Sequence, residues 1–181
     1  MKRAVIVTGL PASGKTTIAH EIAKRLGFEF FDKDDFLEDL YEREGVFSWD
    51  HRKSLSRQSD FAFQEAAAKS DSAVLVSHWR PIRGSVESGT PSDWLLEEYE
   101  TLVEVYCLCP PQEAHRRFLS RTRHPGHLDK QRDAKKLAGR FASWSKYFPL
   151  RVGGLLEVRT DTKVNFEVLV EGIRTELSTS G

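Results

Sequence analysis

Short runs of β-branched and other apolar residues recur along the chain, and longer stretches with helical periodicity lie between them. The apolar runs predict five buried strands, over residues 4–8, 28–31, 73–77, 102–108 and 155–159. Amphipathic or alanine-rich stretches predict helices over residues 18–26, 35–43, 51–69, 111–123, 129–146 and 164–177. A further helix ending at Tyr99 is expected to be capped by Ser92 or Asp93, after a loop over residues 84–90. Strands that alternate with helices of this length predict βαβ units and a parallel sheet covered on both faces.

Length and composition describe one ordinary globular unit. The chain has 181 residues without an internal repeat or a linker-like stretch, so we expect a single domain over residues 1–181. The 27 basic residues balance the 27 acidic residues, which argues against binding to nucleic acid or to an anionic membrane through bulk positive charge. No apolar run approaches the ~20 residues that span a bilayer, and the N-terminal run is too short for a signal peptide. We therefore expect a cytoplasmic protein, with Cys107 and Cys109 buried and reduced.

Residues 9–16 complete the phosphate-binding motif G-x-x-x-x-G-K-[ST] between a predicted strand and a predicted helix. In such a loop, backbone N–H groups and the dipole of the following helix hold phosphate oxygens. We expect Lys15 to reach the β- and γ-phosphates of ATP and Thr16 to offer its hydroxyl to Mg²⁺. The predicted nucleotide-binding residues of the loop are Gly9, Pro11, Ala12, Ser13, Gly14, Lys15, Thr16 and Thr17.

The acidic residues of the predicted site follow the second strand. The third strand ends in Val76, Ser77 and His78, so it lacks the carboxylate of a Walker B strand. Asp32 and Asp34 follow the second strand directly, and we expect that strand to lie beside the P-loop strand and to open on the same crevice. A carboxylate there can accept a proton from a substrate hydroxyl or hold a metal-bound water. The alternative is an acidic cap on a helix that begins at Asp35.

The stretch Gly-Leu-Pro-Ala-Ser-Gly-Lys-Thr-Thr at residues 9–17, with the Asp-x-Asp pair at 32–34, resembles the small P-loop kinases of the nucleoside-monophosphate-kinase fold. Shikimate kinase, gluconate kinase, chloramphenicol phosphotransferase and the kinase part of polynucleotide kinases belong to this group. The resemblance implies a three-layer αβα P-loop NTPase fold with a five-stranded parallel sheet and a helical lid. It places Asp32 near Mg²⁺ and Asp34 at the acceptor hydroxyl, as base or orienting group. Glu38 stands where polynucleotide kinases carry an arginine, which disfavours that subgroup.

Residues 114–140 hold nine basic residues against two acidic ones, and residues 121–130 form a basic loop with Pro125 and Gly126 at its bend. In the resembling kinases a lid at this place brings arginines onto the transferring phosphoryl group. The resemblance therefore implies that Arg121 and Arg123 act in the lid and that Arg117 contacts the nucleotide base. A solvated helix face is the alternative. Residues 28–44 hold eight acidic residues, and we expect them to face the basic segment across the nucleotide.

The acceptor of the phosphoryl group is expected across the crevice from the nucleotide. The predicted substrate-binding residues are Asp34, Arg57, Trp79 and Arg80, and Trp49, His78 and Arg83 are further lining candidates. Packing of the tryptophans in the core is an equal alternative. The leading hypothesis is an ATP- and Mg²⁺-dependent phosphotransferase that acts on a hydroxyl of a small molecule, without a nucleic-acid or membrane partner. A polynucleotide or nucleotide 5′-kinase and a nucleotide-binding regulatory ATPase remain as alternatives.

Overall fold

The structure of the chain is a computed structural model that describes residues 1–81 and 89–179. One sheet of five parallel strands has the order β2-β3-β1-β4-β5. The strands are β1 (Arg3–Gly9), β2 (Glu29–Asp32), β3 (Ser72–Val76), β4 (Thr101–Leu108) and β5 (Gly154–Arg159). The helices are α1 (Lys15–Leu26), α2 (Lys33–Glu44), α3 (Trp49–Ala68), α4 (Leu95–Glu98), α5 (Pro111–Ser120), α6 (Ala134–Trp144) and α7 (Phe166–Thr179). The predicted fold class is confirmed.

Both faces of the sheet are buried, which explains why its strands are continuous apolar runs rather than alternating ones. Val5 and Val7 of β1 pack in one cluster with residues of α1 and α7. Ala4 and Ile6 point the other way and pack in a second cluster that includes Phe63 of α3. The three layers therefore follow from the period-two alternation of side chains along β1.

Three predicted helix boundaries are wrong around the lid and before β4. Helix α5 ends at Ser120, and two short 3₁₀ turns, Pro125–His127 and Asp129–Gln131, precede α6. The side chain of Asp133 accepts hydrogen bonds from the backbone N–H groups of Lys135 and Lys136, so it caps α6 and starts the helix later than predicted. Helix α4 is one turn long and uncapped, because Oγ of Ser92 donates to the carbonyl of Arg80 instead. Arg83 and residues 84–88 of the predicted loop lie outside the described residues.

The strand order corrects one expectation about the acidic pair. Strand β3 lies between β1 and β2, so the strand that ends at Asp32 is not the neighbour of the P-loop strand. Val7 of β1 and Asp32 of β2 are both in register with Val76 of β3. The carboxyl ends of the three strands are therefore level, and a side chain after β2 can still reach the P-loop.

Trp79 lies in the core and not in the site. Its side chain is 1% exposed and packs near Phe63, and its Nε1 donates a hydrogen bond of 3.1 Å to the carbonyl of Val7. The predicted substrate-binding role of Trp79 is wrong, because its Nε1 already donates a hydrogen bond to Val7 and the rest of the ring is buried. The core alternative for this tryptophan is the correct one.

The two cysteines are buried and neither forms a disulfide. Burial raises the pKa of the Cys107 thiol to about 12, so this group stays protonated at neutral pH. Within residues 1–81 and 89–179, no helix has the length and apolar character needed to cross a bilayer.

Replacing Trp79 with Phe should lower the free energy of unfolding by about 1–3 kcal/mol, because the variant loses the hydrogen bond to Val7 and leaves a gap in the core. Urea denaturation measures this change. Phe61→Leu is the control, since Phe61 is 74% exposed and should change stability by less than about 0.5 kcal/mol. Equal stability of the two variants would contradict the placement of Trp79.

Candidate active site

The P-loop joins β1 to α1 through backbone conformations that favour glycine. Gly9 has φ 133° and Gly14 has φ 93°, and the intervening Ala12 has φ 60°. A Cβ atom on Gly9 would lie 2.7 Å from the carbonyl oxygen of Cys107. A side chain at Gly9 would therefore be blocked sterically as well as by its dihedral angle.

Lys15 is the first residue of α1, and its ammonium group lies inside the loop. Its Nζ donates to the carbonyl oxygens of Gly9 (3.1 Å) and Leu10 (2.7 Å). Burial lowers the pKa of Lys15 to about 8, although the charge of Asp32 opposes the shift. A buried cation whose hydrogen-bond partners are neutral carbonyls favours the binding of an anion nearby.

Asp32 links the P-loop to α2. Its Oδ2 accepts a hydrogen bond of 2.8 Å from Oγ1 of Thr16, and its Oδ1 accepts one of 3.0 Å from the backbone N–H of Asp34. Asp32 is therefore the N-cap of α2, and the predicted helix start at Asp35 is wrong by two residues. Burial, together with the charge of Asp34, raises the pKa of Asp32 to about 6.

A cavity of about 470 Å³ opens at the carboxyl edge of the sheet, between the P-loop, α2, α3 and the lid. Most of the predicted site residues line it. These are Pro11, Ala12, Gly14, Lys15, Thr16, Thr17, Asp32, Asp34, Arg117, Arg121 and Arg123. Gly9 and Ser13 belong to the loop, but neither residue lines the cavity.

Arg57 and Arg80, two predicted substrate-binding residues, do not line this cavity. Arg57 is exposed on the outer side of α3, whereas Arg52 and Ser56 line the cavity. The sequence contained the information on which side of α3 faces inward, because that side is marked by a stripe of residues at four-residue spacing that are buried in the structure. That stripe consists of Leu55, Ser59, Phe63 and Ala67.

Lys33 is a cavity residue that sequence reasoning missed. Its Nζ donates a hydrogen bond of 2.7 Å to Oγ of Ser56 and lies 3.5 Å from Oδ1 of Asp60. Asp60 also accepts from Oγ1 of Thr90, whose hydroxyl lies 2.6 Å from that of Ser77. Burial lowers the pKa of Lys33, and Asp60 opposes the shift. This network connects the start of α2 to α3 and to the end of β3.

Two further arginines flank the indole of Trp49. The guanidinium carbons of Arg52 and Arg132 lie 5.7 Å and 5.2 Å from the ring centroid. Arg132 also donates to Oδ1 of Asp129, but the buried Nε of Arg52 has no hydrogen-bond partner. Both arginines line the cavity, although Trp49 itself does not. The half of the cavity beside α3 is therefore cationic.

His78 occupies the position after β3 where a Walker B strand would place its carboxylate. Its ring lines the cavity and lies 5.1 Å from that of Trp144, centroid to centroid. Burial and the nearby charge of Lys15 lower the pKa of His78 to about 3, so the imidazole is neutral. The end of β3 therefore supplies neither a negative nor a positive charge.

The lid contacts α2 through three pairs of side chains at successive turns of that helix. Asp34 forms an ion pair with Arg123. Glu38 lies 2.7 Å from Nε2 of His127, and Glu42 lies 2.7 Å from Nε2 of His124. Residues four apart share one face of a helix, so the three carboxylates form one row. The acidic and basic segments thus meet directly, rather than only across a nucleotide as expected.

Tyr41 of α2 and Gly126 of the lid determine how closely the lid approaches that helix. The ring of Tyr41 stacks on that of His124 at a centroid distance of 5.4 Å and meets that of His127 edge-on at 5.3 Å. A Cβ atom on Gly126 would lie 2.4 Å from Cδ2 of Tyr41. Only glycine therefore fits at the tip of the lid while it is docked.

The docked lid affects the pKa values of Asp34 and of its own Arg121. Burial opposes ionisation of Asp34, but the charges of Arg123 and Lys33 outweigh it and lower the pKa of Asp34. Asp34 is therefore a carboxylate at neutral pH. Burial and the charge of Arg123 lower the pKa of Arg121 to about 10, so Arg121 also keeps its charge.

Arg117 lies at the other end of the cavity, where the resemblance expects the nucleotide base. Its Nη2 donates a hydrogen bond of 3.1 Å to the carbonyl of Thr160, and its Nε donates one of 2.7 Å to Glu113. The side chain of Thr160 borders Gly14, at 3.7 Å from the position of a Cβ there. Arg117 is thus fixed beside the P-loop, and its contact with a base stays a prediction.

Residues 5–138 match the model of a protein family described as AAA domain. The chain belongs to the AAA domain family. The match contains the P-loop, α2, α3 and the lid, whereas the cavity-lining residues Arg140 and Trp144 lie beyond it. No curated protein matches the chain significantly.

Three solved kinase structures are similar in fold to this AAA domain. A candidate kinase from Chloroflexus aurantiacus J-10-fl has a TM-score of 0.76 and 23% identity, over 97% of this chain and 98% of that one. Shikimate kinase from Acinetobacter baumannii, in complex with shikimate, has a TM-score of 0.59 and 17% identity, over 99% and 94%. A gluconokinase from Sinorhizobium meliloti 1021 has a TM-score of 0.53 and 19% identity, over 98% and 90%. The recognition of the small P-loop kinase fold from the sequence is confirmed.

Gly126→Ala should separate the lid from α2, because the new methyl group overlaps the ring of Tyr41. Hydrogen exchange of the amides in residues 124–128 measures the separation, and we expect it to accelerate at least tenfold in this variant. Gly139→Ala is the matched control, since nothing lies within 4 Å of a Cβ at that helical position. Slow exchange retained in Gly126→Ala would show that the lid does not dock on Tyr41.

Proposed function

We propose that this chain is a P-loop kinase that transfers the γ-phosphate of ATP to a hydroxyl group of a small molecule, with Mg²⁺. The observation that carries the proposal is that Asp34 lines the same cavity as Lys15 and Thr16, although no carboxylate follows β3. A carboxylate beside the acceptor is what a kinase needs. A hydrolase of this class more often carries its acid after the Walker B strand.

The charges of the cavity support a polyphosphate ligand. Eight cationic side chains line it among the described residues, against three carboxylates. The cations are Lys15, Lys33, Arg52, Arg117, Arg121, Arg123, Arg132 and Arg140, and the carboxylates are Asp32, Asp34 and Asp129. Such an excess of positive charge in a partly enclosed space strengthens anion binding.

In the proposed reaction, the acceptor hydroxyl oxygen bonds to the γ-phosphorus as the bond from that phosphorus to the β–γ bridging oxygen breaks. ADP leaves with the bridging oxygen, and the hydroxyl proton passes to the carboxylate of Asp34. Lys15 and Arg121 stabilise the charge that develops on the phosphoryl oxygens. Arg123, which pairs with Asp34, lies where it can serve both the acceptor and the phosphoryl group.

The lowered pKa of Asp34 favours one sequence of events. An ionised carboxylate of low pKa binds the hydroxyl and orients its oxygen, but it is a weak proton acceptor. In a loose transition state the attacking hydroxyl loses its proton late, so strong basicity is not required. We therefore assign Asp34 first to orientation of the hydroxyl and then to acceptance of its proton.

The residues beside the P-loop fit Mg²⁺. Oγ1 of Thr16 and Oδ2 of Asp32 lie 2.8 Å apart, and oxygen is the donor that this cation prefers. Among residues 1–81 and 89–179, no group of three or more His, Cys, Asp or Glu side chains could hold a metal by itself. Mg²⁺ is usually held by one or two protein groups together with phosphates and water, so this sparse donor set is compatible. When bound, the ion neutralises charge on the phosphates.

The acceptor half of the cavity favours a small molecule with an anionic group. Arg52 and Arg132 flank Trp49 there, and Nε of Arg52 is a buried donor without a partner. A carboxylate or phosphate on the acceptor would satisfy that donor. Shikimate kinase and gluconokinase, whose structures share this fold, act by name on hydroxy acids. We include a hydroxy acid in the proposed acceptor class on these grounds.

The contact made by Glu38 argues against the polynucleotide alternative. Polynucleotide kinases of the resembling group carry an arginine at this place, but here the carboxylate faces His127 and ties down the lid. A docked lid leaves a cavity of about 470 Å³, which suits a small acceptor. A regulatory ATPase would have no use for Asp34 beside the γ-phosphate.

Asp34→Asn should lower kcat of ATP-dependent transfer by about 10²- to 10⁴-fold, because the amide cannot take the hydroxyl proton. The affinity for ATP should stay within a few-fold, since Asp34 is not a P-loop residue. Asp35→Asn is the matched control, because Asp35 is adjacent in sequence but does not line the cavity. Kinetics of ADP release with an acceptor present measures both variants. Turnover of Asp34→Asn within a few-fold of wild type would refute the assignment.

Asp32→Asn should raise the Mg²⁺ concentration needed for half-maximal activity by at least tenfold, because the amide is a weaker ligand than the carboxylate. Asparagine is a good N-cap, so α2 and the stability of the fold should be preserved. Mg²⁺ titrations at saturating ATP measure the effect, and binding of metal-free ATP serves as the control. An unchanged Mg²⁺ requirement would remove Asp32 from the metal site.

A further inference from the structure

His127 is a cavity residue whose role the proposed reaction leaves open. Its side chain is 1% exposed, it belongs to the lid, and it lines the same cavity as Asp34 and Arg52. Its Nε2 lies 2.7 Å from Oε1 of Glu38. Its Nδ1 is buried and has no hydrogen-bond partner.

The contact with Glu38 fixes which nitrogen of His127 carries the proton. Burial and the charge of Arg123 lower the pKa of His127 to about 3, so the ring is neutral at physiological pH. A carboxylate accepts hydrogen bonds, so Nε2 must hold the single ring proton and donate it to Glu38. Nδ1 is then a bare lone pair, which can only accept a hydrogen bond.

His124 provides a contrast within the same loop. Its Nε2 also faces a carboxylate, at 2.7 Å from Glu42, but its Nδ1 accepts a hydrogen bond of 3.0 Å from the backbone N–H of Gly126. Both nitrogens of His124 are therefore used in the docking of the lid. The docking of His127 uses only Nε2, and this leaves its second nitrogen for a ligand of the cavity.

We propose that Nδ1 of His127 recognises the acceptor by accepting a hydrogen bond from a second hydroxyl group, next to the hydroxyl that Asp34 orients. This inference rests on the proposed kinase function and narrows its acceptor class to polyols. Glu38, which faces Nε2 of His127, follows Asp34 by four residues, so Asp34 and the contact of His127 lie on the same face of α2, one turn apart.

The chemistry of Nδ1 excludes an anion as its ligand. A carboxylate or phosphate has no proton to donate at neutral pH, and its charge would face the lone pair of the imidazole. The anionic group of the acceptor therefore belongs with Arg52 and Arg132, whereas an uncharged hydroxyl belongs with His127. A ligand that lacks this hydroxyl would leave the buried Nδ1 of His127 without a hydrogen-bond donor. The cost of that unpaired atom lowers the affinity for such a ligand strongly.

Two substitutions separate recognition by Nδ1 from docking by Nε2. His127→Gln keeps a donor near Glu38 and removes the acceptor at Nδ1, whereas His127→Asn keeps an oxygen near Nδ1 and removes the contact with Glu38. We expect His127→Gln to raise KM for a polyol acceptor about tenfold, the cost of one hydrogen bond. KM for ATP should not change. His127→Asn should keep KM for the acceptor nearer to wild type while hydrogen exchange in residues 124–128 accelerates.

The direct readout is NMR of isotope-labelled histidine ring nitrogens, which does not require turnover. The probes are glycerol, D-gluconate, shikimate and a deoxy analogue of D-gluconate, each added with Mg²⁺ and a non-hydrolysable ATP analogue. We expect the Nδ1 resonance of His127, assigned with His127→Gln, to move saturably with at least one polyol. The Nδ1 resonance of His124 should stay in place and is the internal control.

The outcomes distinguish this inference from the proposed function. A shift of His127 Nδ1 without phosphoryl transfer to any probe would support recognition and count against the kinase. Transfer to a polyol with Nδ1 unmoved, or with KM unchanged in His127→Gln, would overturn the role of His127 and leave the kinase intact. An Nδ1 resonance that no probe moves, or that the deoxy analogue moves as far as D-gluconate does, would also overturn it.

Discussion

The ion pair between Arg123 and Asp34 connects the two sides of the site, because it ties the lid to the first turn of α2. His127 and His124 contact the same helix one and two turns further along, at Glu38 and Glu42. Two residues earlier, Asp32 caps α2 and accepts the hydroxyl hydrogen of Thr16. One helix N-terminus therefore sets the distances among the P-loop, the candidate proton acceptor and the lid.

The neutral net charge of the chain conceals this arrangement. Eight acidic residues in 28–44 and nine basic residues in 114–140 offset each other almost completely in the sum, yet the two segments meet in the fold. Of the three carboxylates in the row on α2, only Asp34 lines the cavity. The cations that face the cavity keep an excess of charge, and that excess is what a bound polyphosphate would balance.

Local rules were sufficient for the sheet and the loop. The apolar runs predicted all five strands, and the P-loop motif predicted the strand-to-helix turn around Gly9 and Gly14. The order of the strands was not predictable in the same way, because it depends on where β3 inserts rather than on the sequence of β1 or β2. The strands and the P-loop were thus predicted correctly from their own residues, whereas the position of β2 relative to β1 in the sheet was not.

The acceptor side was the least predictable part, since it is assembled from separate elements. Arg57 was predicted to bind the acceptor, but the buried stripe of α3 places Arg52, and not Arg57, at the cavity. For Trp79 the sequence left substrate binding and packing in the core as equal alternatives, and a hydrogen bond to a carbonyl of β1 holds its indole in the core. The pairing of His127 with Glu38 joins residues 89 positions apart, so no local pattern could reveal it.

The fate of the γ-phosphate of ATP tests the central claim most directly. With γ-labelled ATP, Mg²⁺ and a pool of polyhydroxy acids, the account predicts that the label appears in a phosphate monoester, in an amount equal to the ADP formed. Label found only in inorganic phosphate, at the same rate with and without the hydroxy acids, would contradict it.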